Sequence, residues 1–131
     1  MTRARYLLDT QALIWAARAS RELGKTSARI IREQADVYFS AVSIAEMQLK
    51  ALIGKLEIAD DFIALCTGNG LQELEFSAES AMALSRFPAL ARHDPFDRMI
   101  LAQAATHDMH LITADRVLLE LAQLWIIDAR T

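Results

Sequence analysis

An α/β fold, in which helices cover both faces of a mostly parallel central sheet, is predicted by two observations. Short strand-like runs alternate along the chain with segments of helical spacing, and most of the runs are continuously apolar rather than apolar at every second residue. Continuous apolar strands need cover on both faces, and alternation with helices supplies it, giving a three-layer α/β/α sandwich.

The elements follow in order. Arg5 to Leu8 form the first run, closed by Asp9-Thr10, after which Leu13, Ile14, Ala16 and Ala17 recur at helical spacing. Thr26 and Ser27 are the expected caps of a second helix through Ile30, Ile31 and Ala35. Val37-Tyr38-Phe39-Ser40 is β-branched and aromatic, which marks a second buried strand. A helix from Ser43 through Ile44, Met47, Leu49 and Leu52 stops at Gly54; another runs from Asp60-Asp61 to about Thr67, before Gly68-Asn69-Gly70 breaks the chain. Leu74 and Phe76 alternate with Glu73 and Glu75, the half-exposed pattern of an edge strand, and Ser77 opens a helix through Met82 and Leu84. Pro88 to Pro95 read as a loop, Phe96 to Thr106 as a helix, and Leu111 to Thr113 as a strand. Arg116 to Leu121 then read as a helix and Leu124 to Ile127 as the last strand.

With 131 residues, 53% of them apolar, a single domain over residues 1–131 is expected; four Gly, two Pro and no low-complexity stretch imply order throughout. The apolar run Tyr6 to Leu8 near the N-terminus is too short for a signal-peptide core or a membrane span, so a cytoplasmic protein without membrane attachment is expected. The one cysteine, Cys66, lies in an apolar context and reads as a core thiol. A net charge of -3 argues against holding nucleic acid by bulk positive charge. An RNA substrate therefore requires local compensation, from bound cations and from a basic group near the site made of Arg86, Arg92, Arg98 and Arg116.

Asp9 closes the first strand, Glu46 lies in the helix after the second, Asp97 opens the helix after the loop, and Asp115 follows the fourth strand. All four are expected at the carboxyl edge of the sheet, where ligands bind in open α/β folds. Two unit charges about 5 Å apart repel by roughly 3 kcal/mol at an effective dielectric near 20, a penalty that a divalent cation removes. Donors that are all oxygen suit Mg²⁺ or Mn²⁺ rather than zinc, and such an ion polarises phosphoryl oxygens and acidifies a bound water. Each acid also has an ordinary structural use. Asp9 can cap a helix, Ser43-Ile44-Ala45-Glu46 matches a capping box, Asp94-Pro95-Phe96-Asp97 supplies an N-cap, a Pro at N1 and an acid at N3, and Asp115 can begin a helix. From the pattern alone both readings stand.

Four segments carry a family resemblance: Leu7-Leu8-Asp9-Thr10; Phe39-Ser40-Ala41-Val42-Ser43-Ile44-Ala45-Glu46; His93-Asp94-Pro95-Phe96-Asp97-Arg98-Met99-Ile100-Leu101-Ala102-Gln103-Ala104; and Leu111-Ile112-Thr113-Ala114-Asp115. Together, in this order and across nearly the whole chain, they resemble the PIN domains, and within them the VapC-like toxin ribonucleases. The resemblance implies a PIN-like fold and an Mg²⁺- or Mn²⁺-dependent endoribonuclease that is the toxin of a toxin-antitoxin pair. It implies an acidic quartet at Asp9, Glu46, Asp97 and Asp115, with Thr10 and Thr113 as supporting hydroxyls. It also implies a homodimer and a cognate antitoxin lying over the cleft. Gln11 stands where close relatives often have His, and the loop from Pro88 to His93 has fewer His than usual, which bears on substrate preference.

Arg98 and Arg116 are the expected phosphate contacts. His93, His107 and His110 are too dispersed for a zinc motif, and His93 is the best placed for chemistry. Trp15 and Trp125 read as packing anchors; Lys50 and Lys55 read as a solvated helix face, although the resembled toxins use such positions toward RNA. The rival readings are a non-cleaving PIN-fold module that binds RNA or protein, a housekeeping RNA-processing nuclease, and a phosphotransfer domain. The last is disfavoured because Gln11, not a second acid, stands two residues after Asp9.

Overall fold

The computed structural model describes residues 3–131, so Met1 and Thr2 of the N-terminal stretch lie outside the described residues. Within that range the strands are β1 (Tyr6–Leu8), β2 (Val37–Ser40), β3 (Gln72–Leu74), β4 (His110–Thr113) and β5 (Ile126–Asp128). The helices are α1 (Thr10–Ala17), α2 (Lys25–Glu33), α3 (Ala41–Leu52), α4 (Phe62–Gly68), α5 (Ala78–Met82), α6 (Pro95–Thr106) and α7 (Arg116–Leu119). All strand pairs are parallel, in the order β3-β2-β1-β4-β5, with Leu8 opposite Phe39 on one side and Ile112 on the other. The chain steps outward from β1 to β3, then returns to the other side of β1 for β4. The order reverses between β1 and β4, and the crevice beyond their carboxyl ends is where such sheets bind ligands.

Both faces of the sheet are covered, which explains why the central strands show no alternation. Leu8 packs with Leu13, Phe39 and Ile112 on one face, while its neighbour Leu7 packs with Ile100, Leu101 and Leu111 on the other. Cys66 is buried in the first of these clusters, Trp15 packs against it, and Trp125 packs against the second. No helix among the described residues is long and apolar enough to cross a membrane.

Three boundaries differ from the sequence expectation in ways that matter. The third helix starts at Ala41 rather than Ser43: Ser40 is its N-cap, and the Ser40 hydroxyl accepts from the Val42 N–H at 2.9 Å. Glu46 therefore sits in the second turn, out of reach of a capping box, and its structural explanation falls away. The second helix is capped neither by Thr26 nor by Ser27, both of which lie in its first turn. The C-terminal segment docks on this helix start instead, with Gly24 N–H donating to Ala129 O at 2.8 Å and Ser27 N–H to Thr131 O at 3.0 Å. At the other end, the last strand begins two residues later than expected, because Leu124 is 99% exposed and belongs to the turn.

The close approach at Gly24 yields a prediction. A Cβ there would stand 2.0 Å from Thr131 O and 2.4 Å from the Arg130 carbonyl carbon, both backbone atoms. Gly24→Ala is expected to push this segment away and cost about 1–3 kcal/mol, the usual scale of overpacking. Thermal unfolding checks it: the midpoint should fall by several degrees.

Candidate active site

The four sequence-predicted acids line one cleft of about 320 Å³ at the carboxyl end of β1 and β4. Asp9 is 2% exposed and caps α1, its Oδ1 accepting from Ala12 N–H at 2.8 Å. Its Oδ2 accepts from the Thr113 hydroxyl at 2.6 Å and from Ala114 N–H at 3.2 Å, which ties the end of β1 to the end of β4. Asp115 caps α7 through Oδ1, which accepts from Val117 N–H at 2.7 Å and Leu118 N–H at 3.3 Å. This leaves its Oδ2 to the cleft, 2.7 Å from His93 Nε2.

Asp97 is placed by its own helix start. Asp94 Oδ1 accepts from the N–H groups of Phe96 and Asp97, Pro95 fills N1, and Asp97 at N3 projects into the cleft, with Oδ2 3.6 Å from His93 Nε2. Glu46 is 6% exposed; its Oε2 lies 2.9 Å from Lys50 Nζ, one helical turn on, and its Oε1 is buried with no hydrogen-bond partner. A buried carboxylate oxygen left bare is costly, so a native fold keeps one for a reason. The helices bearing Glu46 and Asp97 are locked together by Gln103 of α6, which accepts from the Ser40 hydroxyl and donates to Glu75 O.

The PIN family model matches residues 6–124. The chain belongs to the PIN-domain family. Among solved structures, this PIN domain resembles a chain of the VapBC2 complex of Rickettsia felis bound to promoter DNA, at 16% identity and a TM-score of 0.65, covering 93% of this chain and 95% of that one. A chain of the DNA-bound VapBC of Salmonella typhimurium matches at 20% identity and 0.65, covering 95% and 96%. One from FitAcB of Neisseria gonorrhoeae matches at 22% and 0.60, covering 95% and 97%. Compared by sequence with curated proteins, the chain has no significant match. The five-stranded parallel sheet between helical layers agrees with the PIN-like α/β/α sandwich expected.

The electrostatics of the PIN cleft are those of crowded carboxyls. Burial pushes Asp9 up to about 6, against the hydrogen bonds from Thr113, Ala12 and Ala114. Burial, then the hydrogen bond and charge of Asp115, push Asp97 up to about 9. Burial also acts to raise Asp115, but the hydrogen bonds from Asp97 and His93 outweigh it and hold Asp115 below the ordinary carboxylate value. Without a cation the two acids thus share a proton that Asp97 carries and Asp115 accepts.

A pH dependence of stability follows. Asp9 and Asp97 hold protons in the folded state that they release above 3.8 when unfolded, so stability falls as pH rises, from 3.8 to about 6 for Asp9 and to about 9 for Asp97. Asp115 acts oppositely, but its contribution is already complete above 3.8. The cation-free protein is expected to melt lower at about pH 8.5 than at about pH 6, and Mn²⁺ should narrow that gap. Scanning calorimetry with and without the ion measures both.

The supporting threonines differ in role. Thr113 holds Asp9 directly, whereas the Thr10 hydroxyl donates to Ser43 Oγ at 3.0 Å and so joins α1 to α3. Of the four arginines expected near the site, Arg86, Arg92, Arg98 and Arg116, none is among the residues that line the cleft. Arg86 lines a separate pocket with His110 and Trp125, at the amino end of β4. Arg98 follows Asp97 within α6, where one residue turns a side chain by about 100°, and Arg116 is the first residue of α7 after its cap, Asp115. Arg98 has its Nε buried without a partner, and Arg92 and Arg116 are exposed.

The cations that do line the cleft are Lys50 and Arg130. The Glu46 hydrogen bond, more than any other influence, raises the Lys50 ammonium above its ordinary value. Arg130 donates from Nη1 to Ala114 O at 2.9 Å, and its guanidinium lies 5.4 Å from the centre of the Trp15 ring. The Glu46 and Lys50 spacing was a readable signal. Arg130 reaches the cleft only through the tertiary docking of the C-terminal segment on α2, which no local pattern reveals.

Proposed function

We propose that this PIN domain is a metal-dependent endoribonuclease, the toxin of a toxin-antitoxin pair, which hydrolyses RNA phosphodiester bonds in the cytoplasm. The observation that carries the reading is the bare, buried Oε1 of Glu46, a residue that lines the same cleft as Asp9, Asp97 and Asp115. An all-oxygen carboxylate set with one unsatisfied member and one shared proton fits a hard divalent cation, Mg²⁺ or Mn²⁺, which would replace the proton and remove the repulsion. Asp9, Glu46, Asp97 and Asp115 would hold it, and when bound it supplies charge stabilisation at the phosphoryl oxygens and a more acidic water.

The remaining work falls to the chain itself. Thr113 and Ala114 fix the Asp9 carboxylate, so that it meets a ligand without first reorganising. Lys50 and Arg130 place two positive charges around an otherwise acidic cleft, where a phosphodiester backbone needs neutralising. The cytoplasmic site follows from the RNA substrate proposed. One similar solved structure is a toxin-antitoxin complex from Klebsiella pneumoniae, which supports a cognate antitoxin as partner, with a homodimer and a single domain over residues 1–131 as parts of the same reading.

The test is incubation of purified protein with total RNA in Mg²⁺, in Mn²⁺ and in EDTA, followed by mapping of new RNA ends. Discrete ends are expected with either ion and none with EDTA. Cleavage that persists through exhaustive chelation overturns the metal mechanism. Absence of cleavage under every condition favours the non-cleaving module, and cleavage without growth arrest on induction favours a housekeeping nuclease.

A further inference from the structure

We propose that His93, which meets Asp97 and Asp115 from outside the cleft lining, is itself a metal ligand and offers one ion a nitrogen donor beside their carboxylates. The inference rests on the reading of the cleft as a divalent-cation site and goes beyond the all-acid donor set. Its consequence is selectivity: an imidazole shifts preference from Mg²⁺ toward Mn²⁺ and the later first-row ions, which take nitrogen more readily.

Geometry carries the argument. One donor atom from each of His93, Asp97 and Asp115 lies within 4.8 Å of the others. His93 Nε2 is 2.7 Å from Asp115 Oδ2 and 3.6 Å from Asp97 Oδ2. Donors sharing one ion at bond lengths of about 2.1 Å stand about 3 Å apart when at right angles, close to both of these separations from His93 Nε2.

The imidazole is also held by a built frame. The His93 N–H donates to Leu90 O at 2.9 Å, Leu90 is 4% exposed in the core, and Asp94 next in sequence caps α6. His93 thus stands one helical turn before Asp97 with its backbone fixed at both sides. Independently, Glu46, a residue 6% exposed that lines the adjoining cleft, has a buried Oε1 without a partner, which calls for a cation beside it.

A purely structural His93 would do something else. As a hydrogen-bond donor that steadies Asp115 it would affect every bound ion alike and would share no electron density with the metal. Pulsed electron paramagnetic resonance of the wild-type chain loaded with Mn²⁺ separates the two, since a directly bonded imidazole couples its ¹⁴N nucleus to the manganese spins. The coupling is expected in the wild type and absent in His93→Ala and in His93→Gln, the second of which retains a donor toward Asp115. The other histidines do not confuse the signal: His110 opens β4, about 10 Å of strand before Thr113, and His107 caps the far end of α6, about 15 Å of helix from Asp97.

Calorimetry gives the matching numbers. Mn²⁺ should bind His93→Ala about tenfold more weakly than wild type, while Mg²⁺ affinity changes by about twofold or less. Since the His93 side chain is 22% exposed, the variants are expected to fold, and a melting curve in the absence of metal verifies it. Mn²⁺ that binds the wild type without ¹⁴N coupling, or equal losses of Mn²⁺ and Mg²⁺ affinity in the variants, overturns the ligand role and leaves the cation reading in place. Failure of the wild type to bind any divalent ion overturns both.

Discussion

Asp97→Asn is expected to lower RNA cleavage by about a hundredfold or more, the scale on which one charge-stabilising group is felt in an active site. Asp94→Asn, three residues earlier on the same helix start, is expected to keep most of the activity. Asp94 acts through Oδ1, which accepts two backbone N–H groups at 2.9 and 3.3 Å, and the carbonyl oxygen of Asn does this about as well. Asp97 makes no such cap. Its carboxyl is raised to about 9 by burial and by Asp115, so in the cation-free protein it is already a neutral group at neutral pH, and Asn imitates that state. The variant should therefore melt at or above the temperature of the cation-free parent while binding Mn²⁺ much more weakly. Single-turnover cleavage, Mn²⁺ calorimetry and unfolding on the two variants check the pair together. Near-normal cleavage by Asp97→Asn, or a loss confined to Asp94→Asn, would move the proposed ligand to the other acid.

How much of this was legible in the sequence depends on how local each cause is. The caps at Asp94 and Ser77 and the position of Asp97 at N3 follow from contacts within a few residues, and the structure has them as read. Local pattern puts the start of the helix bearing Glu46 two residues late because both Ser40 and Ser43 can cap. The choice between them is made by Gln103, which is 63 residues from Ser40 in sequence and accepts its hydroxyl proton. That shift turned the most suspect of the four acids, the one with a capping box to explain it, into the one with an oxygen nothing else explains. The gathering of Asp9 and Asp115 was readable because in a parallel sheet every strand ends on the same edge. Which strands adjoin was not, and β1 beside β4 is what brings Thr113 to Asp9. Arg130 and His93 are opposite cases. His93 stands four residues before Asp97, a spacing visible in advance, whereas Arg130 is delivered by backbone contacts to α2 across about a hundred residues of chain, beyond any local spacing rule.

Asp9→Asn should be doubly damaging, and in this the structure revises what substitution by an isostere would ordinarily do. On shape alone Asn fits the space of Asp and leaves the fold intact. Here both carboxylate oxygens are already acceptors in a site 2% exposed: Oδ1 takes the Ala12 N–H, and Oδ2 takes the Thr113 hydroxyl and the Ala114 N–H. An Asn must turn its NH₂ toward one of these sets. If it faces Ala12, helix α1 loses its cap. If it faces Ala114, two N–H donors oppose each other and Thr113 can only reverse its own bond, giving up its donation to Asp9. Either way a buried donor is stranded, at a cost of about 1–3 kcal/mol. Relief of the buried charge, which holds Asp9 up at about 6, offsets part of this, and the offset grows with pH. The variant is accordingly expected to lose cleavage to background and to unfold several degrees below the wild type at about pH 6, with a smaller deficit at about pH 8.5. Unfolding curves at the two pH values, run without metal beside a cleavage assay, check all three effects. Wild-type stability at both would mean that the Thr113 and Ala114 bonds do not hold the ends of β1 and β4 together, and retained cleavage would remove Asp9 from the site.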